Sequence, residues 1–178
     1  MKRIILLGYM GAGKTTVGRE LAKRLNMRFY DLDWYIESRF CKKVSQIFEA
    51  EGEEGFRKKE RNMLHEVAEF EDVVVALGGG APCFFDNMEY INQIDDTETI
   101  YLKGTPEVLY QHLMMAKGKR PLLEGKSPEE LKSYIRESLE GREPYYNKAK
   151  HVFNIELLGN GEKIKACVED ICHMLNIP

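Results

Sequence analysis

The stretch that decides the fold is RIILLGYMGAGKTTVGREL, residues 3–21. Four apolar residues precede a glycine-rich turn, and further apolar residues then recur at helical spacing. The spacing Gly8-x4-Gly13-Lys14-Thr15, with a strand before it and a helix after it, is typical of a phosphate-binding loop. A secretory signal would need an apolar run of about 7–15 residues, and this run ends before Gly8. The stretch therefore predicts a site for a nucleoside triphosphate.

Each residue type in this loop has a chemical purpose. Glycines let the backbone bend so that successive N–H groups and the helix N-terminus face phosphate oxygens. Lys14 can then reach the β- and γ-phosphates, and the hydroxyl of Thr15 can ligate Mg²⁺. The residues predicted to bind the nucleotide in this loop are Gly11, Ala12, Gly13, Lys14, Thr15 and Thr16.

Composition sets limits on the class of protein. The chain has 178 residues, of which 43% are hydrophobic and 31% charged, and we expect a single domain over residues 1–178. A net charge of −3 gives no broad attraction to nucleic acid or to an anionic membrane. No apolar run approaches the roughly 18 residues of a membrane span, so we expect a cytoplasmic protein. Four cysteines and four histidines lack zinc-ligand spacing, which favours free thiols.

Short β-like runs alternate with longer helical patterns along the chain. This alternation predicts βαβ units, and hence a three-layer α/β/α fold around a parallel sheet of five strands. A helical pattern over residues 44–70 is broken near Gly52 and Gly55, and a second long helix should run from Pro128 to about Asn147, capped by Ser127. The segment before it, about residues 114–127, has no sustained period and is long enough to be a lid. The predicted strands are RIILLG, RFYDLD, VVVALGGG, ETIYLK and HVFNIE.

Acidic residues and glycines follow two of these strands. In open α/β sheets ligands bind beyond the carboxyl ends of the strands, so both groups should lie beside the phosphate loop. We assign Asp31 to the Mg²⁺ side, through water, and Asp33 to the acceptor. The alternative is that Asp33 only caps the helix beginning WYIESRF. The run Gly78-Gly79-Gly80 suggests backbone that approaches a ligand closely.

A charged segment lies further along the second helical pattern. Arg57, Glu60 and Arg61 share one helical face, which by itself favours a solvated charged surface. Cys83 follows the glycine run, and an inert buried thiol is favoured there over a reactive one.

An ordered set of motifs resembles the shikimate kinase family along nearly the whole chain. The motifs are the phosphate loop, the Asp-x-Asp of Asp31 and Asp33, FRKKE (56–60), ALGGGAP (76–82), KRPLL (119–123) and REPYY (142–146). The resemblance implies a P-loop kinase fold of the nucleoside-monophosphate-kinase-like group, with strand order 2-3-1-4-5. It also implies transfer of the γ-phosphate of ATP to the 3-hydroxyl of shikimate, with Mg²⁺, by an enzyme that acts as a monomer.

The resemblance also implies roles for individual residues. Asp33 and the backbone of Gly79 and Gly80 would hold the ring hydroxyls, and Arg57 and Arg142 would clamp the carboxylate. A planar guanidinium suits that clamp because it can donate two parallel hydrogen bonds. Glu60 would orient the two arginines, and Phe48 and Phe56 would line the ring pocket. The acceptor-binding segment would span about residues 33–62. Arg120 of the lid would contact the phosphates. Lys14, Asp33 and Arg120 form the predicted catalytic set.

Two rival functions follow from the same residues. Gluconate kinase or another small-molecule kinase of this fold would also need an acid clamp. A regulatory ATP-binding module would keep the phosphate loop and need no acceptor site. The sequence departs from the family pattern in two places. YQHLMMAKG (110–118) lacks the arginine that often packs on adenine in the family, and IELLGNG (155–161) offers no basic partner, so other nucleotides are expected to be tolerated.

Overall fold

A computed structural model of the chain describes residues 3–116 and 127–177. Five parallel strands form one sheet in the order β2-β3-β1-β4-β5, which confirms the expected topology. The strands are β1 (Arg3–Leu7), β2 (Arg28–Asp31), β3 (Val73–Ala76), β4 (Thr97–Lys103) and β5 (His151–Asn154). Each coincides with one of the five predicted runs.

Helices connect consecutive strands and cover both faces of the sheet. Crossover connections between parallel strands are right-handed. The connection from β1 to β2 runs across the sheet in the opposite direction to the connection from β3 to β4. The two connections therefore lie on opposite faces of the sheet. The helices are α1 (Lys14–Arg24), α2 (Leu32–Phe40), α3 (Val44–Ala68), α4 (Asn87–Gln93), α5 (Pro106–Met115), α6 (Pro128–Tyr146) and α7 (Gly161–Met174), with a 3₁₀ turn at Ala81–Cys83.

The central strand β1 is the middle of the core. All five of its residues are buried, and β3 and β4 pair with it in register, Ile5 lying opposite Val75 and Thr99. Residues 4–7 are apolar, as expected of a parallel strand covered by helices on both faces, and Arg3 begins the strand at its edge. This packing fixes the carboxyl ends of β1 and β3 side by side.

Helix ends and breaks follow local chemistry. Ser127 caps α6 by accepting a hydrogen bond from the backbone of Glu130, whose side chain accepts from the N–H of Ser127 in return. Gly52 interrupts α3 with φ +69°, ψ −177°, which confirms the predicted break, whereas Gly55 continues the helix. Helix α2 begins at Leu32 rather than at Trp34, so its cap is Asp31 and not Asp33.

Two further features concern the whole described chain. Within residues 3–116 and 127–177, no helix is both long and apolar enough to cross a membrane. All four cysteines are free thiols, and Cys83 is partly buried, which raises the pKa of its thiol.

Candidate active site

A cleft of about 400 Å³ opens at the carboxyl edge of the sheet, where ligands of open α/β folds bind. The phosphate loop forms its floor and the ends of β2 and β3 form one wall. The lining residues are Met10, Gly11, Gly13, Lys14, Thr15, Thr16, Asp31, Asp33, Leu77, Gly78, Gly79, His112, Met115, Ala116 and Leu158. Of the residues predicted for the acceptor, Asp33 and Gly79 line this cleft together with most of the phosphate loop.

The phosphate loop takes a backbone shape that requires glycine. Gly8 has φ +142°, and a Cβ there would lie 2.7 Å from the carbonyl oxygen of Leu102, which is backbone and cannot move aside. Gly13, at φ +81°, is the residue before α1 and turns the chain into that helix. The free N–H groups at the start of α1 consequently face the cleft, where they can receive phosphate oxygens.

Lys14 folds back over the same loop. Its Nζ donates hydrogen bonds to the carbonyl oxygens of Gly8 at 2.8 Å and Tyr9 at 3.0 Å. These contacts place a positive charge at the floor of the cleft, as binding of a triphosphate requires.

Thr15 and Asp31 form the candidate metal site. The Thr15 hydroxyl donates to Oδ2 of Asp31 at 2.8 Å. The other carboxylate oxygen of Asp31 accepts from the N–H groups of Asp33 at 3.1 Å and Trp34 at 3.4 Å, which holds the side chain in place while it caps α2. A hydroxyl and a carboxylate oxygen are ligands suited to Mg²⁺, so the residues present fit this ion.

Asp33 lies deeper, against the glycine segment. A Cβ on Gly78 would lie 2.8 Å from Oδ1 of Asp33, so a larger residue there would displace this carboxylate. Burial, and to a smaller degree Asp31, raises the pKa of Asp33 above its ordinary value, and Lys14 and Arg57 oppose the shift. Asp33 is thus a partly buried carboxylate beside the phosphate loop.

Arg57 and Glu60 form a largely buried ion pair rather than part of a solvated face. Nη1 of Arg57 lies 2.7 Å from Oε2 of Glu60, whose side chain is only 1% exposed. Burial raises the pKa of Glu60 to about 7, although the guanidinium opposes that shift. Arg61, one residue further round the helix, instead pairs with Asp86 at 2.7 Å nearer the surface. The expectation of a solvated face is therefore wrong for Arg57 and Glu60, because α3 turns that side towards Gly78 and Gly80.

Aromatic rings surround the Arg57 guanidinium. Phe48 and Phe56 stack with centroids 4.3 Å apart, as the ring-pocket assignment requires them to be close. The guanidinium carbon lies 4.1 Å from the centroid of Phe84, a residue that the sequence analysis missed. Phe84 follows the glycine run in a stretch without helical or strand periodicity, so only its proximity to the run could have marked it.

Arg142 approaches the glycine segment from α6. A Cβ on Gly79 would lie 3.5 Å from Nη1 of Arg142, and one on Gly80 would lie 2.7 Å from Nη1 of Arg57. The hydroxyl of buried Tyr146 donates to the Gly79 carbonyl at 2.6 Å and so fixes this peptide. Two guanidinium groups from distant helices therefore border the same short glycine segment, beside the cleft.

Some residues predicted for the site are not among those that the structure describes. Arg120 and most of the predicted lid fall in residues 117–126, outside the described residues. The structure adds His112, Met115, Ala116 and Leu158 to the lining of the cleft. They lie in YQHLMMAKG and IELLGNG, the two segments that depart from the family pattern, so no motif marked them individually.

Comparisons with known proteins agree on one family. The sequence model of that family, described as shikimate kinase, matches residues 10–175. A shikimate kinase of Phocaeicola vulgatus is 54% identical over 176 residues, which cover 99% of each chain. One from Parabacteroides distasonis is 60% identical over 156 residues, 88% of this chain and 89% of that one.

Solved structures give the same result. The crystal structure of a shikimate kinase from Bacteroides thetaiotaomicron has a TM-score of 0.93 and 50% identity, with 98% of each chain covered. A shikimate kinase from Acinetobacter baumannii in complex with shikimate has a TM-score of 0.83 and 34% identity, covering 99% of this chain and 94% of that one. With matches of this extent in sequence and in structure, the chain belongs to the shikimate kinase family.

Proposed function

We propose that the chain transfers the γ-phosphate of ATP to the 3-hydroxyl of shikimate. The observation that carries the proposal is that Arg57 and Arg142 meet at the Gly79–Gly80 segment. Asp33 lies beside this segment, and the phosphate loop lies next to it. Two guanidinium groups suit a carboxylate, and a carboxylate such as Asp33 suits a hydroxyl. The site thus has separate places for a triphosphate and for an acidic polyol.

The acceptor is positioned by fixed groups. We assign Arg57 and Arg142 to the carboxylate of shikimate, Glu60 to holding Arg57, and the Gly79–Gly80 backbone with Asp33 to the ring hydroxyls. The ion pair between Arg57 and Glu60 supports this, because it fixes the guanidinium before the substrate arrives. Less side-chain entropy is then lost on binding.

The chemical step needs little covalent participation from the protein. The acceptor hydroxyl oxygen attacks the γ-phosphorus, the bond to the bridging oxygen breaks, ADP leaves, and the hydroxyl proton passes to Asp33. A carboxylate whose pKa is raised by burial is a better proton acceptor, which supports this role for Asp33. Lys14 and the amides of the phosphate loop stabilise the charge on the transferring group, and Arg120 is assigned to the same task from the sequence.

Thr15 and Asp31 would hold Mg²⁺, with Asp31 acting through water. When bound, the ion supplies charge neutralisation on the β- and γ-phosphate oxygens. Their hydroxyl and carboxylate oxygens, 2.8 Å apart, support this assignment.

Other parts of the account stay predictions from the sequence. They are a single domain with an acceptor-binding segment at about 33–62 and a lid at about 114–127. They also include action as a cytoplasmic monomer without nucleic-acid or membrane partners.

The experiment is a comparison of acceptors. ADP release would be measured with ATP and Mg²⁺ in the presence of shikimate, gluconate or nucleoside monophosphates. Among these acceptors, we expect only shikimate to give ADP release above background with the wild type. A Lys14→Met variant should release no ADP with any of them. Release with gluconate alone would favour the rival kinase, and nucleotide binding without release in any mixture would favour a regulatory module.

A further inference from the structure

His112 connects two parts of the nucleotide end of the cleft. It lies near the end of α5 and is 9% exposed. Its Nδ1 lies 2.7 Å from the carbonyl oxygen of Gly11 in the phosphate loop. Its Nε2 lies 2.8 Å from the backbone N–H of Leu158, in the segment between β5 and α7. All three residues line the cleft.

The two partners determine the state of the ring. A carbonyl oxygen can only accept and a backbone N–H can only donate, so Nδ1 carries the proton and Nε2 offers its lone pair. The ring therefore uses both nitrogens, one as a donor and the other as an acceptor. The rigid imidazole fixes the distance between the donor and the acceptor. A flexible side chain could not make both hydrogen bonds with this fixed geometry.

The Gly11–Ala12 peptide is held from both sides. Its carbonyl oxygen accepts from His112, and its N–H donates to the carbonyl oxygen of Tyr9 at 3.1 Å. Gly11 has φ +81°, a conformation that this pair of bonds stabilises. The orientation of this peptide in turn sets where the next residues, Gly13 and Lys14, present their N–H groups.

Leu158 belongs to the opposite wall of the same end of the cleft. A Cβ on Gly13 would lie 2.7 Å from Cδ1 of Leu158, so this side chain packs onto the phosphate loop itself. The bond from the Leu158 N–H to His112 holds the wall at this distance. The imidazole is thus the link between the floor and the wall.

We infer that His112 is a positioning residue for the nucleotide, which acts through Gly11 and Leu158 by fixing the distance between the phosphate loop and the β5–α7 segment. The inference rests on the proposed function for its kinetic assay. The acceptor groups Arg57 and Arg142 lie against Gly79 and Gly80. The loop atoms nearest to Gly79 belong to Gly8 and Met10 rather than to Gly11. The change should therefore affect the nucleotide and spare shikimate.

Three variants separate the two bonds. His112→Asn can keep the donor to Gly11, because its amide nitrogen takes the place of Nδ1, and loses the acceptor for Leu158. His112→Gln can keep the acceptor and loses the donor, and His112→Ala loses both. His173→Gln is the matched control, since His173 is exposed on α7.

The readouts are the KM for ATP, the KM for shikimate, kcat and the melting temperature of the unliganded protein. We expect the KM for ATP to rise ~2- to 10-fold for each bond lost, and most in His112→Ala. The KM for shikimate should stay within about twofold of the wild type, and His173→Gln should match the wild type throughout. A purely structural role would lower the melting temperature and the active fraction and leave both KM values unchanged.

Unchanged KM values for ATP in all variants, or parallel rises for ATP and shikimate, would overturn the inference. If His112→Ala does not fold, the Asn and Gln variants decide, since each lacks only one bond. Calorimetric titration with ATP tests the same point without turnover. If the wild type binds ATP but phosphorylates no acceptor, the proposed function fails, and weaker ATP binding in His112→Gln would still support the positioning role.

Discussion

The Arg57 guanidinium and the Glu60 carboxylate lie 2.7 Å apart in a region where the Glu60 side chain is only 1% exposed. One turn of helix α3 thus carries a buried carboxylate that orients the guanidinium towards Gly80, beside the cleft. Glu60 and the surrounding aromatic rings fix the guanidinium, and under the proposed function its remaining N–H groups donate in its plane to the carboxylate of shikimate.

Arg57→Lys should raise the KM for shikimate about 10-fold or more while the KM for ATP changes little. The charge is kept, but an ammonium group cannot donate two parallel bonds to a carboxylate and bond Glu60 as well. Arg61→Lys is the matched control, because Arg61 pairs with Asp86 away from the cleft. Steady-state kinetics with each substrate varied in turn measures both constants. Equal KM values for shikimate in the two variants would place the carboxylate elsewhere.

Glu60 should make stability depend on pH. Its pKa is raised to about 7 in the folded protein, above the ordinary value of 4.5, so between these values the folded state binds more protons than the unfolded state. The contribution of Glu60 to the free energy of unfolding should therefore fall as the pH rises from about 4.5 to about 7, by on the order of 1–3 kcal/mol. The contribution should level off only above the folded-state pKa of about 7, where Glu60 is deprotonated in both states.

Urea unfolding of the wild type and Glu60→Gln at pH 5 and pH 7.5 measures this effect. Glutamine keeps the size of the side chain and does not titrate. We expect the stability of the wild type relative to the variant to be lower at pH 7.5 than at pH 5. A relative stability that is equal at both values, or higher at pH 7.5, would contradict a raised pKa.

Thr15→Val should increase the Mg²⁺ concentration needed for half-maximal activity, because the variant keeps the shape of the side chain and loses the hydroxyl. Thr15→Ser retains the hydroxyl and should restore the wild-type requirement. Activity titrated with Mg²⁺ at saturating ATP checks both. A Thr15→Val enzyme with the wild-type requirement would remove Thr15 from the metal site.

Arg120→Ala should lower kcat on the ~10³-fold scale of arginine fingers, with little change in the KM for shikimate. An interaction made only in the closed, reacting complex lowers kcat and kcat/KM together. Limited proteolysis between residues 116 and 126 should also slow when nucleotide and shikimate are both present. Near-wild-type kcat, or cleavage that ligands do not affect, would remove Arg120 from the catalytic set.

Much of this arrangement could be predicted from the sequence because its signals are local. The five strands are short apolar runs, and the phosphate loop is a fixed spacing of glycines, lysine and threonine. The helix cap was harder, because Asp31 and Asp33 have equal capping chemistry and stand two residues apart. Only the observed start of α2 at Leu32 assigns the cap to Asp31.

Contacts between distant segments could not be predicted from spacing. Arg57 and Glu60 have the pattern of a charged helix face, and their burial depends on the approach of Gly80 from after β3. The hydrogen bond between Leu158 and His112 joins residues 46 positions apart, and neither residue belongs to one of the sequence motifs. Tertiary packing, which local patterns do not encode, decides both.

The most direct test of the central claim is to identify the product. ATP, Mg²⁺ and shikimate would be incubated with the protein and with Lys14→Met, and the products examined by phosphorus and proton nuclear magnetic resonance. We predict one new phosphate monoester, coupled to the proton on carbon 3 of the shikimate ring, with the wild type and none with the variant. Inorganic phosphate as the sole new phosphorus signal, or an ester on another hydroxyl, would contradict the account.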